Sequence, residues 1–264
     1  MNGRQEKSDP AKVALRNVSV NYVTTKGVTR ALEDVNLEIE DGVFAALVGP
    51  SGCGKSTLLS LIAGLVSPTS GSVTLDGREI TGPSRQMGYM LQEDYLFPWR
   101  DILNNVTIGL EVQGRLNAQT RERARNLLDQ YGLGEFMHHR PHQLSGGMRQ
   151  RAALIRTLAT DPEVLLLDEP LSALDYQTRL TLQEEIADIL RQEKKTVLLV
   201  THNIHEAVSM SDRVMVMTRR PGTIKSSYDI PPGHRERDSA GELSAHVARI
   251  WDDLDHSMTR GDEH

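Results

Sequence analysis

Residues Gly49-Pro50-Ser51-Gly52-Cys53-Gly54-Lys55-Ser56-Thr57 constrain this chain more than any other stretch. They fit G-x-x-x-x-G-K-[ST], a pattern whose backbone cradles phosphate groups. Its flanks matter as much as the pattern. Val43-Phe44-Ala45-Ala46-Leu47-Val48 precedes it, a short apolar run with the length of a buried strand. Leu58, Leu59, Leu61 and Ile62 follow at helical spacing, and Gly64 supplies a stop. Strand, glycine turn and helix together suit a triphosphate. The glycines let the backbone approach closely and turn its N–H groups inward. The helix N-terminus adds unpaired donors and the positive end of its dipole. That dipole offers at most ~2 kcal/mol, so Lys55 is needed as a full charge on the β- and γ-phosphates. Ser56 is placed to hold Mg²⁺, and Thr57 to face the α-phosphate. The bland alternative is a glycine-rich turn with a chance lysine, which leaves the strand and helix unexplained.

Composition narrows the class. At 264 residues the chain suits one large domain, or one domain with a small subdomain. Aromatic residues are only 4%, so the core is expected to be aliphatic. A net charge of −6 argues against broad nucleic-acid binding, which leaves a basic footprint. The single cysteine, Cys53, cannot form an internal disulfide, consistent with a reducing compartment. No apolar run approaches the ~20 residues of a membrane span. Residues 1–12 read as a polar, disordered lead-in without a signal-peptide core. The expectation is a cytosolic chain whose membrane role comes through a partner.

In chain order, Val13 to Tyr22 alternates apolar and polar with one slip in phase, a strand with a bulge. Thr24 to Gly27 reads as a turn, Ala31 to Glu40 as a second strand, and Asp41-Gly42 as the turn into the phosphate loop. Tyr22 is either a base-stacking aromatic or a plain strand tyrosine. Ser72 to Leu75 and Met87 to Leu91 are short strands, with Gln92 directly after the second. Tyr95-Leu96-Phe97-Pro98-Trp99 concentrates aromatics, as a contact surface or as a small core under a loop. Thr120 to Tyr131 is a charged helix with Ala124, Leu127, Leu128 and Tyr131 on one face. His138-His139-Arg140-Pro141-His142 lacks a cysteine or carboxylate at ligand spacing, which disfavours a metal.

Leu144-Ser145-Gly146-Gly147 then opens a helix from Met148 to Thr160. A hydroxyl and two glycines at a helix start make a second anion-seeking site. Val164-Leu165-Leu166-Leu167 is a buried strand that ends in Asp168-Glu169-Pro170. At that place Asp168 would hold Mg²⁺ through its water shell, and Glu169 would orient or deprotonate the attacking water. Ser172 to Asp175 is a tight connection, and Thr178 to Gln192 a helix with Leu182, Ile186, Ile189 and Leu190 inward. Thr196 to Val200 is another buried strand, followed by Thr201-His202. A histidine there is either a ligand contact at the carboxyl end of an open sheet or a strand-end core histidine. Arg213 to Met217 reads as the last strand and Arg219-Arg220-Pro221-Gly222 as a turn. The polar extension 231–264 carries one amphipathic helix through Leu243, Val247, Ile250 and Leu254, which folds back or meets a partner.

Together these residues resemble the ATP-binding subunit of ABC transporters from about Val13 to Ile230. Residues 49–57 match the family's P-loop (Walker A), and Gln92 its Q-loop. Leu144 to Arg151 match the signature motif, Val164 to Pro170 Walker B, Ser172-Ala173-Leu174-Asp175 the D-loop, and His202 the switch histidine. Met148 departs from the glutamine of many members, but Ser145 and Gly147 remain for the phosphate. The implied fold is α/β: a P-loop NTPase core with a parallel sheet, an antiparallel β subdomain and a helical subdomain insert at about 93–160.

The resemblance implies ATP and Mg²⁺ as cofactors and a head-to-tail homodimer with two ATP molecules at its interface. Residues 49–57, Tyr22, Ser145, Gly147 and Asp175 would bind nucleotide, Tyr22 by stacking on adenine. Ser56, Gln92 and Asp168 would hold the metal. Glu169, His202 and Gln92 would act in hydrolysis. Leu96-Phe97-Pro98-Trp99-Arg100 and Arg219-Arg220-Pro221-Gly222 look like the nitrate, sulfonate and taurine importer group. The partners so implied are an integral membrane permease and a solute-binding protein, with no nucleic acid. The chain would then lie on the cytoplasmic side of the cell (inner) membrane as a peripheral subunit. Cys53, inside the P-loop, is expected to react with thiol reagents at the expense of activity. The alternatives are a soluble ABC ATPase without a membrane partner and a small-molecule P-loop kinase. The first is disfavoured by one nucleotide domain without a long heptad run. The second leaves the signature motif unexplained.

Overall fold

Parallel strands covered on both faces need near-continuous apolar sequence, and half-covered antiparallel strands need alternation. Both patterns occur here, and the computed structural model, which describes residues 11–25, 27–172, 174–231 and 240–259, keeps them apart in two sheets. The alternating stretch forms a long antiparallel hairpin of β1 (Ala11–Thr24) and β2 (Gly27–Glu40). The slip in phase is a set of register shifts around Val18, beside Asn17 at φ 50°. β3 (Phe44–Val48) is buried throughout and leads through the glycine loop into α1 (Lys55–Ile62). β4 (Ser70–Leu75) and β5 (Arg78–Glu79) complete a four-stranded antiparallel sheet in the order β2-β1-β4-β5.

β6 (Met87–Met90) precedes a helical stretch of α2 (Ile102–Val106), α3 (Ile108–Val112), α4 (Ala118–Gln130) and α5 (Gly146–Ala159). Ala124, Leu127, Leu128 and Tyr131 are buried as the helical spacing predicts. The chain then alternates β7 (Val164–Asp168), α6 (Tyr176–Gln192), β8 (Thr196–Thr201), α7 (Ile204–Met210) and β9 (Arg213–Met217). β10 (Ile224–Asp229) and α8 (Ala240–Thr259) follow. The second sheet runs β10-β9-β3-β8-β7-β6, parallel except for β10. Alternate residues of β3 serve two cores. Ala45 and Leu47 join α1 and the antiparallel sheet, whereas Phe44, Ala46 and Val48 join the helices on the other face.

Four features differ from the sequence expectations. Ala11 and Lys12, expected in the lead-in, already belong to β1. Lys12 is buried, and its Nζ reaches Asp76 Oδ2 at 2.9 Å and Glu163 Oε2 at 2.5 Å. Residues 1–10 lie outside the described residues. β9 is not the last strand, since β10 pairs with it as an antiparallel edge. Its sequence, Ile-Lys-Ser-Ser-Tyr-Asp, is half-exposed and too polar to announce a strand. α7 was also not legible, because seven residues show less than two periods of helical spacing. Both interior helices begin earlier than their apolar periodicity, at Gly146 and Tyr176, because side-chain caps rather than burial set their starts.

The C-terminal helix folds back onto the domain. Ile250 and Leu254 are buried in the helical-face core, with Val247 packed against it. Asp253 accepts hydrogen bonds from Ser226 Oγ and Tyr228 OH, each 2.5 Å, so β10 is the platform for α8. The Leu243 side chain and residues 232–239 and 260–264 lie outside the described residues. Among the described residues no helix is long and apolar enough to cross a membrane.

Candidate active site

β3, β6, β7, β8 and β9 are parallel, so their carboxyl ends share one edge. Open α/β sheets bind ligands at that edge. The loops there gather chemistry from distant parts of the chain. Gly49 follows β3, Gln92 lies two residues beyond β6, and Glu169 follows β7. His202 follows β8, and Arg220 lies three residues beyond β9.

The phosphate loop is shaped by its glycines. Gly54 caps α1 at φ 116°, a region that L side chains rarely adopt. A Cβ there would also lie 2.7 Å from Leu32 Cδ2 and 3.0 Å from the Ala31 carbonyl oxygen. Lys55 is buried, and its Nζ donates to the carbonyl oxygens of Gly49 at 2.8 Å and Pro50 at 3.1 Å. Its charge is thus held by carbonyl dipoles of the loop and also favours the charged form of Asp168. The loop borders a hollow of about 440 Å³ lined by Tyr22, Thr29, Ala31, Ser51, Gly52, Gly54, Lys55, Ser56, Thr57, Gln92, Glu169 and Arg220. That size suits a nucleotide-sized ligand. Tyr22 is 40% exposed on this wall, so its ring is available rather than buried as a strand tyrosine. Cys53 is not on the wall. It is 1% exposed, and burial pushes its thiol above the usual range.

Opposite the loop lies an acidic pair. Ser56 Oγ donates to Asp168 Oδ1 at 3.3 Å, and Tyr89 OH donates to Asp168 Oδ2 at 3.4 Å. Burial pushes the Asp168 carboxyl up, and burial with the Asp168 charge pushes the Tyr89 phenol up to about 12. A buried carboxylate beside a hydroxyl is an all-oxygen donor set that suits Mg²⁺ completed by substrate phosphates. Among the described residues no group of three or more His, Cys, Asp or Glu forms a closed metal cage. Gln92, expected at the metal, lines the same hollow, but its Nε2 faces Glu169 Oε2 at 3.5 Å and Ser172 Oγ at 3.2 Å.

Glu169 sits at φ 44°, in the left-handed region, where a non-glycine residue costs roughly 1–3 kcal/mol. Its amide N donates to the Val200 carbonyl at 2.8 Å, and this ties the end of β7 to β8. The turn aims the side chain at His202, whose Nδ1 is 3.0 Å from Glu169 Oε2. Behind His202, Thr201 Oγ1 donates to Glu206 Oε2 at 3.0 Å and accepts from the Asn203 amide at 3.0 Å. Glu206 was not singled out by the sequence. It is 4% exposed, and burial pushes its carboxyl up to about 7.

The remaining expected ligands lie elsewhere. Ser145 caps α5, its Oγ accepting from the Met148 amide at 3.3 Å. With Gly147, Met148 and Arg151 it lines a separate hollow of about 320 Å³ against Gln177, Thr178 and Glu185. Asp175 caps α6 and lines neither hollow. The Thr178 amide, bonded to its Oδ1 at 3.1 Å, holds that carboxylate below the usual range. Ala173, expected between Ser172 and Leu174, lies outside the described residues. The two helix starts that seek phosphate thus open into different hollows. Arg220, read from sequence as part of a turn with an importer-group resemblance but not as a ligand, lines the larger one, as do Thr29 and Ala31.

The aromatic stretch divides in two. Leu96 is buried in the helical core, whereas Tyr95 and Trp99 are exposed, Trp99 with its ring 5.2 Å from that of Phe97. Arg140 of the histidine cluster donates to the Trp99 carbonyl and so anchors that loop.

A family model described as ABC transporter matches residues 32–172. An ABC transporter ATP-binding protein of Bacillus subtilis, YtlC, is 47% identical over 215 residues, covering 81% of this chain and 83% of its own. The taurine import ATP-binding protein TauB of Burkholderia thailandensis is 42% identical over 232 residues, covering 88% of each chain. Among solved structures, a dimeric post-hydrolysis state of the ATP-binding cassette MJ0796 bound to ADP and Pi superposes with a TM-score of 0.72. It is 32% identical and covers 83% of this chain and 99% of its own.

Proposed function

We propose that this chain, which belongs to the ABC transporter family, powers the uptake of a small solute through a separate membrane permease. It is an ATP-binding cassette that hydrolyses ATP. The observation that carries the importer reading is the 40–45% identity to relatives named for taurine import, and the separation of two phosphate-seeking helix starts into two hollows of one chain supports a dimeric cassette. One hollow holds the P-loop and the acidic strand end, and the other holds the signature helix. A head-to-tail dimer brings the first hollow of one protomer against the second of its partner, which explains why a single chain carries both. Closure then depends on nucleotide, and hydrolysis releases it, as a transport switch requires.

Within one site the residues divide the work. Lys55 and the amides of 51–57 hold the phosphates. Tyr22 stacks on the base. Ser56 and Asp168 would hold Mg²⁺, which would supply charge neutralisation for the phosphates. Glu169 takes the proton of the attacking water, and His202 holds Glu169 and the γ-phosphate in line. Ser145 and Gly147 meet the nucleotide of the partner protomer, with Asp175 at the crossing. Gln92 links the site to the helical insert at about 93–160, where exposed Tyr95 and Trp99 form the seat for a cytoplasmic helix of the permease. The chain works at the cytoplasmic face of the cell (inner) membrane. Relatives named for taurine import at 40–45% identity support the importer type and a taurine-like solute, and the resemblance of residues 96–100 and 219–222 supports the wider nitrate-, sulfonate- or taurine-like class.

The test is purification of tagged Glu169→Gln chain from detergent-solubilised membranes with ATP present. The expected companion is a polytopic membrane protein encoded with a solute-binding protein. An intact preparation that brings ribosomes, nucleic acid or no membrane protein overturns the importer reading in favour of a soluble ABC ATPase.

A further inference from the structure

The turn after β9 is tied to β2 by backbone hydrogen bonds and packed against the phosphate loop. The Gly222 amide donates to the Ala31 carbonyl at 2.9 Å, and the Glu33 amide donates to the Gly222 carbonyl at 3.0 Å. A Cβ at Gly222 would lie 2.2 Å from the Cys53 carbonyl oxygen, so only glycine permits this approach. From this fixed turn Arg220 reaches across to Gly52. Its Nε and Nη2 both donate to the Gly52 carbonyl, at 3.1 and 2.9 Å. These are its hydrogen bonds among the described residues. A guanidinium has five N–H donors, so three remain.

The charge of Arg220 is also unanswered. Seven residues earlier, Arg213 is paired with both Glu40 and Asp229, at 2.9 Å each. Among the described residues no carboxylate pairs with Arg220, although its side chain is exposed and lines the same hollow as Tyr22, Lys55 and Thr57. An exposed arginine ordinarily gives up entropy when it is held in one geometry. Here the turn and the Gly52 carbonyl hold it at the rim of an anion site, with free donors and no counter-ion.

We propose that Arg220 is a nucleotide-binding residue, which braces the tip of the phosphate loop through Gly52 and presents its remaining donors to the polyphosphate. This rests on the reading of residues 49–57 as the nucleotide site. A charge from the turn after β9 then joins Lys55 from α1, and the phosphates are gripped from two parts of the fold. Arginine suits the place better than lysine, because its fork can hold a carbonyl and an anion at once.

The test measures ATP affinity and steady-state kinetics of the full chain for wild type, Arg220→Ala, Arg220→Lys and Lys55→Ala, each with a melting temperature. Arg220→Ala is expected to weaken ATP and ADP about tenfold, to raise KM more than it lowers kcat, and to flatten the salt dependence of binding. Arg220→Lys should restore part of the affinity and of the salt dependence. ATP affinity unchanged in Arg220→Ala overturns the proposal. So does a loss of kcat and melting temperature with unaltered salt dependence, which would leave Arg220 as a brace alone. Lys55→Ala separates the premise: if it still binds ATP normally, the reading of the loop fails, whatever Arg220 does.

Discussion

Glu169 Oε2 lies 3.0 Å from His202 Nδ1, although the two residues are 33 positions apart in sequence. They meet because β7 and β8 are adjacent parallel strands, Asp168 opposite Val200, and each residue immediately follows its strand. The left-handed turn at Glu169 aims its carboxylate across that gap. Glu169→Gln preserves the shape of the pair but removes the base. ATP binding is expected to persist while turnover falls by roughly 10²–10⁴-fold. Near-normal hydrolysis by this variant, measured as phosphate release, would take the base role away from Glu169.

Trp99 offers a contrast, because it is exposed and lines neither hollow. Trp99→Ala is expected to leave the melting temperature and basal ATPase of the isolated chain within error, as exposed substitutions cost within ~0.5 kcal/mol. Recovery of the permease on tagged chain should drop. Unchanged recovery would return the Phe97–Trp99 pair to a structural role in its loop.

Cys53 corrects an expectation. A cysteine inside the P-loop invites the prediction of rapid inactivation by thiol reagents. Here Cys53 Sγ is buried beneath the loop, and burial favours the neutral thiol, which is the unreactive form. Labelling of the native chain, followed by mass spectrometry, should be slow at pH 7 and become fast in denaturant. Rapid stoichiometric labelling of the folded chain would contradict the buried position.

Glu206 should leave a signature in stability against pH. Its carboxyl is pushed from an ordinary 4.5 up to about 7, chiefly by burial, with the Thr201 hydrogen bond, Arg179 and His202 opposing and Glu169 adding to the shift. The folded state thus binds this proton more tightly than the unfolded chain does. Its contribution is fully present below about pH 4.5 and is lost as pH rises through 7. A shift of that size corresponds to about 3 kcal/mol. Glu206→Gln keeps an acceptor for Thr201 but cannot ionise. Its stability relative to wild type, read from urea melts, should rise between pH 4.5 and 7 and level off above. Parallel pH profiles for the two proteins would show that the carboxyl titrates normally.

Local sequence was sufficient for much of this molecule. The P-loop, its strand and its helix follow from glycines and apolar runs over 22 residues, 43–64, because each requirement there is met by neighbours in the chain. The buried runs at 164–167 and 196–200 became central strands, since only a strand covered on both faces uses such sequence. The catalytic and binding candidates were likewise legible where a motif sits at the end of such a run. What required the tertiary structure was every relationship between elements. β10 is an edge strand whose polar sequence gains its conformation from β9. α8 is anchored by Asp253 to residues of that same strand. Thr29 and Ala31, from the antiparallel sheet, join the nucleotide wall only after the two sheets pack around α1. Arg220 reads as a turn residue until β9 is set beside β3, and then it lies on Gly52. Sequence determines the buried strands and marks the loops that suit anions, because those properties depend on residues in local contact. Only the packing of distant segments decides which charges meet, because burial and hydrogen bonding between them do not exist until the sheet has assembled.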